Sequence, residues 1–397
     1  MRTDLRFSVC VLSLSRGFVA ALGLLAALAT PLAIHAQIVI SGNENKIDVS
    51  TGTPVSLFDA EPDSISVIDF AEFPPRVQHV TGIRNSVIGP PSNVAIAPSG
   101  QLALVASSLK LDRQAEEGHV PDTVVHIIDL TQRPPRVVGQ VQGGQQPSGI
   151  SIAPDGSFAL VANRADGTVT MLSIDGMDVK VVQSIEVAGV DDQVSDVAIS
   201  PDGKMALVSV HEDYLLAVLA IEDGRASLTE QQLSVCGKPY RTVITADGQL
   251  GLTVGSGVGP PNLDALTVVD LTADPIRSID YVPLGLQPES FGVSPDGQLV
   301  AAMMFNGSTL PKDDPSSSSG GQLVILARRG MTYEPVQRLP LGRVTQGAAF
   351  TADGKFLLAQ CYVDREIRVY RVQGESVEDT GHRIKTPGFP ASLRASR

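Results

Sequence analysis

Beyond residue 37 the chain is written in short apolar runs separated by tight polar turns. Runs such as Phe158-Ala-Leu-Val-Ala162, Leu102-Ala-Leu-Val-Ala106 and Phe356-Leu-Leu-Ala-Gln-Cys361 have the length of a strand. Their nearly unbroken apolar character means burial on both faces. Just before each run stands a five-residue box. The copies are Ile96-Ala-Pro-Ser-Gly100, Ile152-Ala-Pro-Asp-Gly156, Ile199-Ser-Pro-Asp-Gly203, Ile244-Thr-Ala-Asp-Gly248, Val293-Ser-Pro-Asp-Gly297 and Phe350-Thr-Ala-Asp-Gly354. In such a box Pro presets φ, Asp bonds back to the backbone, and Gly takes the dihedral that other residues resist. Counted from the third residue of each box, the steps are 56, 47, 45, 49 and 57 residues. A period of this size built only of strands and turns predicts an all-β fold, a β-propeller of four-stranded antiparallel blades.

The third blade shows the order most plainly. Ser148 to Ala153 is an innermost strand of small and apolar residues, Phe158 to Ala162 the second, Thr168 to Ile174 the third and Val179 to Ile185 the outer one. At the N-terminus, Ile38 to Ser41, Ser64 to Phe70 and Arg76 to Val80 match the second, third and outer strands of a blade that lacks its innermost one. The final segment, Gly388-Phe-Pro-Ala-Ser-Leu-Arg-Ala-Ser396, aligns with Gln145-Gln-Pro-Ser-Gly-Ile-Ser-Ile-Ala153 and supplies it. Six boxed blades and this composite one make seven, and closing the ring from both termini removes the free sheet edges. Two blades carry insertions between second and third strands, Ser108 to Asp122 and Asn306 to Gly321. Insertions on one face of a repeat fold commonly mark a binding face.

Residues 1–36 have the order of a secretory signal: Arg2, Arg6 and Arg16 ahead of an apolar run from Phe18 to Ala29, then Ala36. The expectation is a periplasmic or secreted protein whose mature chain, 37–397, is one propeller domain and a monomer with no membrane span. Beyond residue 36 there are 27 basic and 42 acidic residues, a net charge of −15. Such a surface excludes nucleic acid and anionic lipid as partners. Cys236 and Cys361 fall in non-adjacent blades, so no disulfide is expected. No Cys-x-x-Cys-His for haem and no metal-ligand spacing is present, and Trp is absent. Neither a metal nor a cofactor is predicted.

The third blade's Ala159-Leu-Val-Ala-Asn-Arg-Ala-Asp-Gly-Thr-Val-Thr-Met-Leu-Ser-Ile-Asp-Gly176 resembles the YVTN-repeat propellers, a branch of the lactonase-like seven-bladed family, as do its siblings from Ile38 to Leu393. The resemblance implies company that includes lactone hydrolases, a muconate-lactonising enzyme and haem-carrying propellers of respiratory enzymes. Lactonase members usually carry Gly-Pro-Arg-His on the innermost strand. The equivalent positions here are Pro91-Ser-Asn93, Pro147-Ser-Gly149 and Pro239-Tyr-Arg241, so the usual His is missing.

Loops entering the innermost strands and loops between second and third strands share one face of a propeller. The polar residues placed there are Asn43, Asn45, Lys46, Asn93, His119, Arg164, Asp196, His211, Glu212, Tyr240, Arg241, Glu289, Gln346 and Tyr362. Of these, Arg241, His211 and Glu289 are the candidate catalytic residues, because an Arg, a His and a Glu at one opening can hold a carboxylate and polarise water for ester or lactone opening. Asn93, Arg164, Glu212, Tyr240, Gln346 and Tyr362 are candidate ligand contacts. An Arg241–Glu289 salt bridge between neighbouring blades is the structural alternative. Three functions stay open at this point. The first is a binding or scaffold protein that takes a small anionic or lactone-type molecule, or a protein partner, at the channel mouth. The others are a lactone or ester hydrolase and an accessory subunit of a redox enzyme.

Overall fold

The computed structural model describes residues 37–86, 88–257 and 264–396. The expected signal segment lies outside the described residues. Each blade is a four-stranded antiparallel sheet, and there are seven. In the third blade the strands run outward as Pro147–Ile152, Phe158–Asn163, Thr168–Asp175 and Asp178–Glu186. All six boxes fold as the sequence predicts. Their glycines sit at φ between 68° and 76°, and the Asp155 carboxylate accepts the Ser157 amide at 2.9 Å. Asp202, Asp247, Asp296 and Asp353 do the same two residues on. Among the described residues no helix is long and apolar enough to cross a membrane.

What holds the ring is the packing between blades. One apolar cluster fills each of the seven interfaces, such as Leu160, Val169, Val208 and Leu219 between the third and fourth blades. A fully buried Leu or Val contributes roughly 1.5–3 kcal/mol, so each interface is a small core of its own. The closing interface is built like the others: Val39, Ile68, Phe70 and Leu393 pack on Phe356, Leu358 and Val369. The C-terminal strand Phe389–Ala395 pairs antiparallel with Ile38–Glu44, with Val39 opposite Ala395. Side chains then lock the closure: Gln360 donates to the Ser41 hydroxyl at 2.8 Å and to the Ser392 carbonyl at 2.7 Å.

The two expected insertions are joined by a third, residues 45–63 of the first blade, the one blade without a turn box. It makes a small hairpin, Ile47–Asp48 with Val55–Ser56, beside the hairpin Leu109–Leu111 with His119–Pro121. They touch through the Ser56 hydroxyl on the Glu117 carbonyl (2.9 Å) and the Arg113 guanidinium 4.4 Å above the Phe58 ring. Arg343 ties in the insertion 306–321 by donating to the carbonyls of Ser50 and Ser308. Beneath them Ile47, Leu109, Val344, Tyr362 and Ala391 form a separate apolar floor. The result is a cap of three insertions from the first, second and sixth blades.

Candidate functional site

Counting back from the turn box aligns the innermost strands. The residues after Pro147, Pro239 and Pro288 are Ser148, Tyr240 and Glu289, one tier near the capped end of the channel. The next tier holds Gly149, Asp196, Arg241 and Ser290. A Cβ on Gly149 would collide with the Asp196 carboxylate. The third blade is therefore kept bare so that the fourth can place a charge there.

At the capped end, side chains from the third to sixth blades converge. Arg164 leaves the loop after Phe158–Asn163 and is 8 % exposed. It donates to the Ser195 hydroxyl at 2.6 Å and to the Gln193 side-chain carbonyl, and its guanidinium lies 5.3 Å from the Tyr240 ring. His211 packs its ring 5.3 Å from that of Tyr240, and its Nδ1 meets the Pro239 carbonyl at 3.2 Å. Glu212 pairs with Lys238, and its other oxygen lies 3.8 Å from His211 Nε2.

Burial sets the protonation states. It pushes the Glu289 carboxyl up to about 8 against the pull of Arg164, so at neutral pH that group is mostly the neutral acid. It pushes the His211 imidazole down to about 4, helped by the Arg164 charge. The neutral ring then donates Nδ1–H to Pro239 and keeps a lone pair on Nε2. Glu212 is held low by its hydrogen bond to Lys238. The cluster thus contains a cation whose two hydrogen bonds are to neutral groups, a protonated acid and a neutral imidazole.

Arg241 belongs elsewhere. It is one tier further along, 4 % exposed, 6.0 Å from the Phe291 ring and 3.4 Å from the Pro91 carbonyl. Its charge acts on Asp196, which burial raises and which Arg241 and Arg394 pull back. The cation acting on Glu289 is Arg164, not the Arg241 that the alternative salt bridge required. The tract around Pro91 explains the separation, because it runs inside the ring. Its Pro91 and Ser92 carbonyls accept from Leu393 and Ile150, the inner strands on either side.

The remaining candidates are tied into the scaffold to different degrees. Asn93 donates to the Ala106 carbonyl of its own blade at 2.9 Å. The Tyr362 hydroxyl sits 2.6 Å from Glu44 and 2.7 Å from the Ile47 carbonyl, with its ring stacked on Phe389. Gln346 is buried. Asn43 bonds Ser66, Asn45 takes an Asp63 oxygen on its amide, and Lys46 pairs with Asp63 at 2.6 Å. His119 bonds Ser56 within the cap. Arg394 was missed in the sequence. Other blades place Ala95, Ser151, Ala198, Val243, Gly292 and Ala349 at its position, so a large cation in that small-residue column was the available signal.

Cys361, Asp364 and Glu366 present ligand atoms within 4.8 Å of one another. Their carboxylates already pair with Arg368 and Lys385, which argues against a metal there. Cys236 and Cys361 are free thiols.

No protein-family model matches the chain, and no curated protein matches it in sequence. Solved structures do. A periplasmic gluconolactonase from Pseudomonas aeruginosa is 17 % identical with a TM-score of 0.64, covering 90 % of this chain and 98 % of its own. A functionally unknown protein from Desulfotomaculum acetoxidans is 16 % identical with a TM-score of 0.65, over 90 % and 98 %. The hydrazine synthase of Kuenenia stuttgartiensis is 18 % identical with a TM-score of 0.58, over 79 % of this chain and 91 % of that one. At these identities the likeness speaks for the fold: the chain has the seven-bladed β-propeller architecture found in lactonase-like proteins.

Proposed function

We propose that the side-chain cluster at the capped mouth of the ring binds a small carboxylate- or lactone-bearing molecule on Arg164, outside the cytoplasm. One observation carries this. Arg164 is a buried cation with no carboxylate in salt-bridge contact among the described residues: the ionised Glu212 acts on it only from further off and is itself paired with Lys238, and Glu289 is held neutral. Burying a cation without a carboxylate in contact is costly, and an anionic or strongly polarised ligand oxygen relieves that cost. Tyr240 offers a ring for the ligand body and Glu289 a proton to donate. Export rests on the arginines and apolar run of residues 1–36.

A second reading, lactone hydrolysis, is favoured by Glu289 itself. A carboxylic acid poised near 8 suits protonation of a departing ring oxygen while Arg164 holds the carbonyl oxygen. Water would add to the carbonyl carbon, the ring C–O bond would break as Glu289 gives its proton to the leaving oxygen, and the proton that the water loses would return to the Glu289 carboxylate, leaving the hydroxy acid. His211, at about 4, is a weak base for that water, which is why binding comes first. Fold likeness to a gluconolactonase supports this second reading by analogy.

The test is titration calorimetry of the protein from Gln37 onward against small lactones and their open hydroxy acids, with acid release followed in parallel. Saturable binding that Arg164→Gln abolishes is expected, and acid release would promote the hydrolase. No binding by any lactone or acid would overturn the proposal.

A further inference from the structure

The first hairpin of the cap is pinned at its root by a row of three buried oxygens. Glu44, Ile47 and Tyr362 are all fully buried. The Tyr362 hydroxyl lies 2.6 Å from Glu44 Oε1 and 2.7 Å from the Ile47 carbonyl oxygen. On its other oxygen, Oε2, the Glu44 carboxyl accepts the Ile47 amide at 3.0 Å. Glu44 and Tyr362 between them hold both backbone polar groups of the residue that opens the hairpin Ile47–Asp48 with Val55–Ser56.

The number of hydrogens fixes the state of this row. Two oxygen–oxygen contacts this short each need a hydrogen between them. The tyrosine supplies one and the backbone carbonyl none, so the second sits on Glu44. The neutral acid donates from Oε1 to the Tyr362 oxygen, Tyr362 donates to the Ile47 carbonyl, and Oε2 takes the Ile47 amide. The surroundings favour that form. Burial is the chief influence and lifts the Glu44 carboxyl to about 7. The charges that face it are Lys46, which pulls it down, and Asp63, which pushes it up. These two pair with each other at 2.6 Å. Asp48 acts on the Tyr362 hydroxyl, and Phe389, opposite Glu44 on the paired strand, brings no charge. Once Glu44 ionises, the single tyrosine hydrogen goes to the carboxylate, the stronger acceptor. The Ile47 carbonyl then meets an oxygen lone pair at 2.7 Å and must move away.

We propose that Glu44, Tyr362 and Ile47 form a proton-operated latch, which seats the first hairpin of the cap while Glu44 is a neutral acid and releases it when Glu44 ionises. Because the folded value lies above the ordinary 4.5, the seated state is favoured at low pH and is lost as pH rises through about 7. Hydrogen exchange of residues 45–57, followed by mass spectrometry on the protein from Gln37 onward, tests this. Exchange is expressed as protection factors, so that its intrinsic dependence on pH cancels. Between about pH 6 and about pH 8.5 the wild-type hairpin should lose protection by about tenfold or more. The amide of Glu44→Gln donates from one atom and accepts on the other, as the neutral acid does. That variant should fold like the wild type at the lower pH and keep the hairpin protected at both. Tyr362→Phe, with no hydroxyl to reach Ile47, should leave the hairpin open at both. Wild-type protection that does not change with pH would overturn the latch, as would a fall that persists in Glu44→Gln. So would a Glu44→Gln chain that does not fold, or a hairpin that stays protected in Tyr362→Phe.

Discussion

The two mouths of this ring are framed by the same seven inner strands, yet they are built on opposite principles. On one side every loop differs, three carry insertions, and the chemistry is polar: Arg164, His211, Glu212, Tyr240 and Glu289. On the other side six loops repeat one turn, and two arginines, Arg241 and Arg394, stand among the small residues of the inner strands. The turn box cannot vary much, since its Gly needs positive φ and its Asp must cap the next strand. Variation on that side is confined to inward side chains of the strands. On the capped side loop length is free, and function can be set by insertion as well as by substitution.

The sharpest way to break the comparison is to remove material from each side. Deleting residues 387–397 takes away the closing strand with its buried Leu393 and with Arg394. It should cost several kcal/mol, seen as a collapse of the melting temperature. Excising the serines at 316–319 from the cap should move it little, because that tract bonds mainly within its own loop. Equal effects would mean that the composite blade does not hold the ring.

Next in size is pH. Glu289 has an ordinary value of 4.5 and is pushed up to about 8 in the folded chain. Folding therefore favours its protonated form. Stability from this group is highest at or below pH 4.5 and is lost as pH rises toward 8. Glu44, raised to about 7 by burial, acts in the same direction over a narrower window. Between pH 5 and 9 Glu289→Gln should spare the protein about 1–3 kcal/mol of that loss, leaving the share from Glu44. Parallel curves for the two proteins would remove Glu289 from the cluster's electrostatics.

Smaller still, Tyr362→Phe should cost about 1–3 kcal/mol, the range for stranding a buried hydrogen-bond partner. It removes the hydroxyl between Glu44 and the Ile47 carbonyl that pins the cap's first hairpin. Urea denaturation measures it, and because Tyr362 lies away from Arg164, ligand binding on Arg164 should survive.

The fold was legible because it is written redundantly: six copies of one turn and a terminal segment that completes the seventh blade. The site was legible only where a residue broke a repeat. Tyr240 and Glu289 stand where other blades have Ser148 and Ser195, and the structure brings both to one cluster. Arg241 broke the pattern as visibly, yet one residue along a strand, with a bulge between Pro239 and Arg241, sends it to another layer. Sequence spacing reports that a side chain is unusual; the pleat and bulge decide which way it points. The cap at 45–63 escaped notice because it falls in the one blade without a box. Position alone does not distinguish a polar residue that bonds its own scaffold, as Tyr362 does, from one with an unpartnered atom, as Asn93 has at Oδ1.

The central claim is that Arg164 offers its charge to a ligand because Glu289 is neutral. The direct measurement is gluconate affinity by calorimetry as a function of pH, in wild type, Glu289→Gln and Arg164→Gln. Wild-type affinity should be strongest near pH 6 and fall as pH passes about 8, when the Glu289 carboxylate forms and competes for Arg164. Glu289→Gln should bind with no such fall, and Arg164→Gln should not bind at any pH. Gluconate binding that is independent of pH in the wild type, or that persists in Arg164→Gln, would contradict the account.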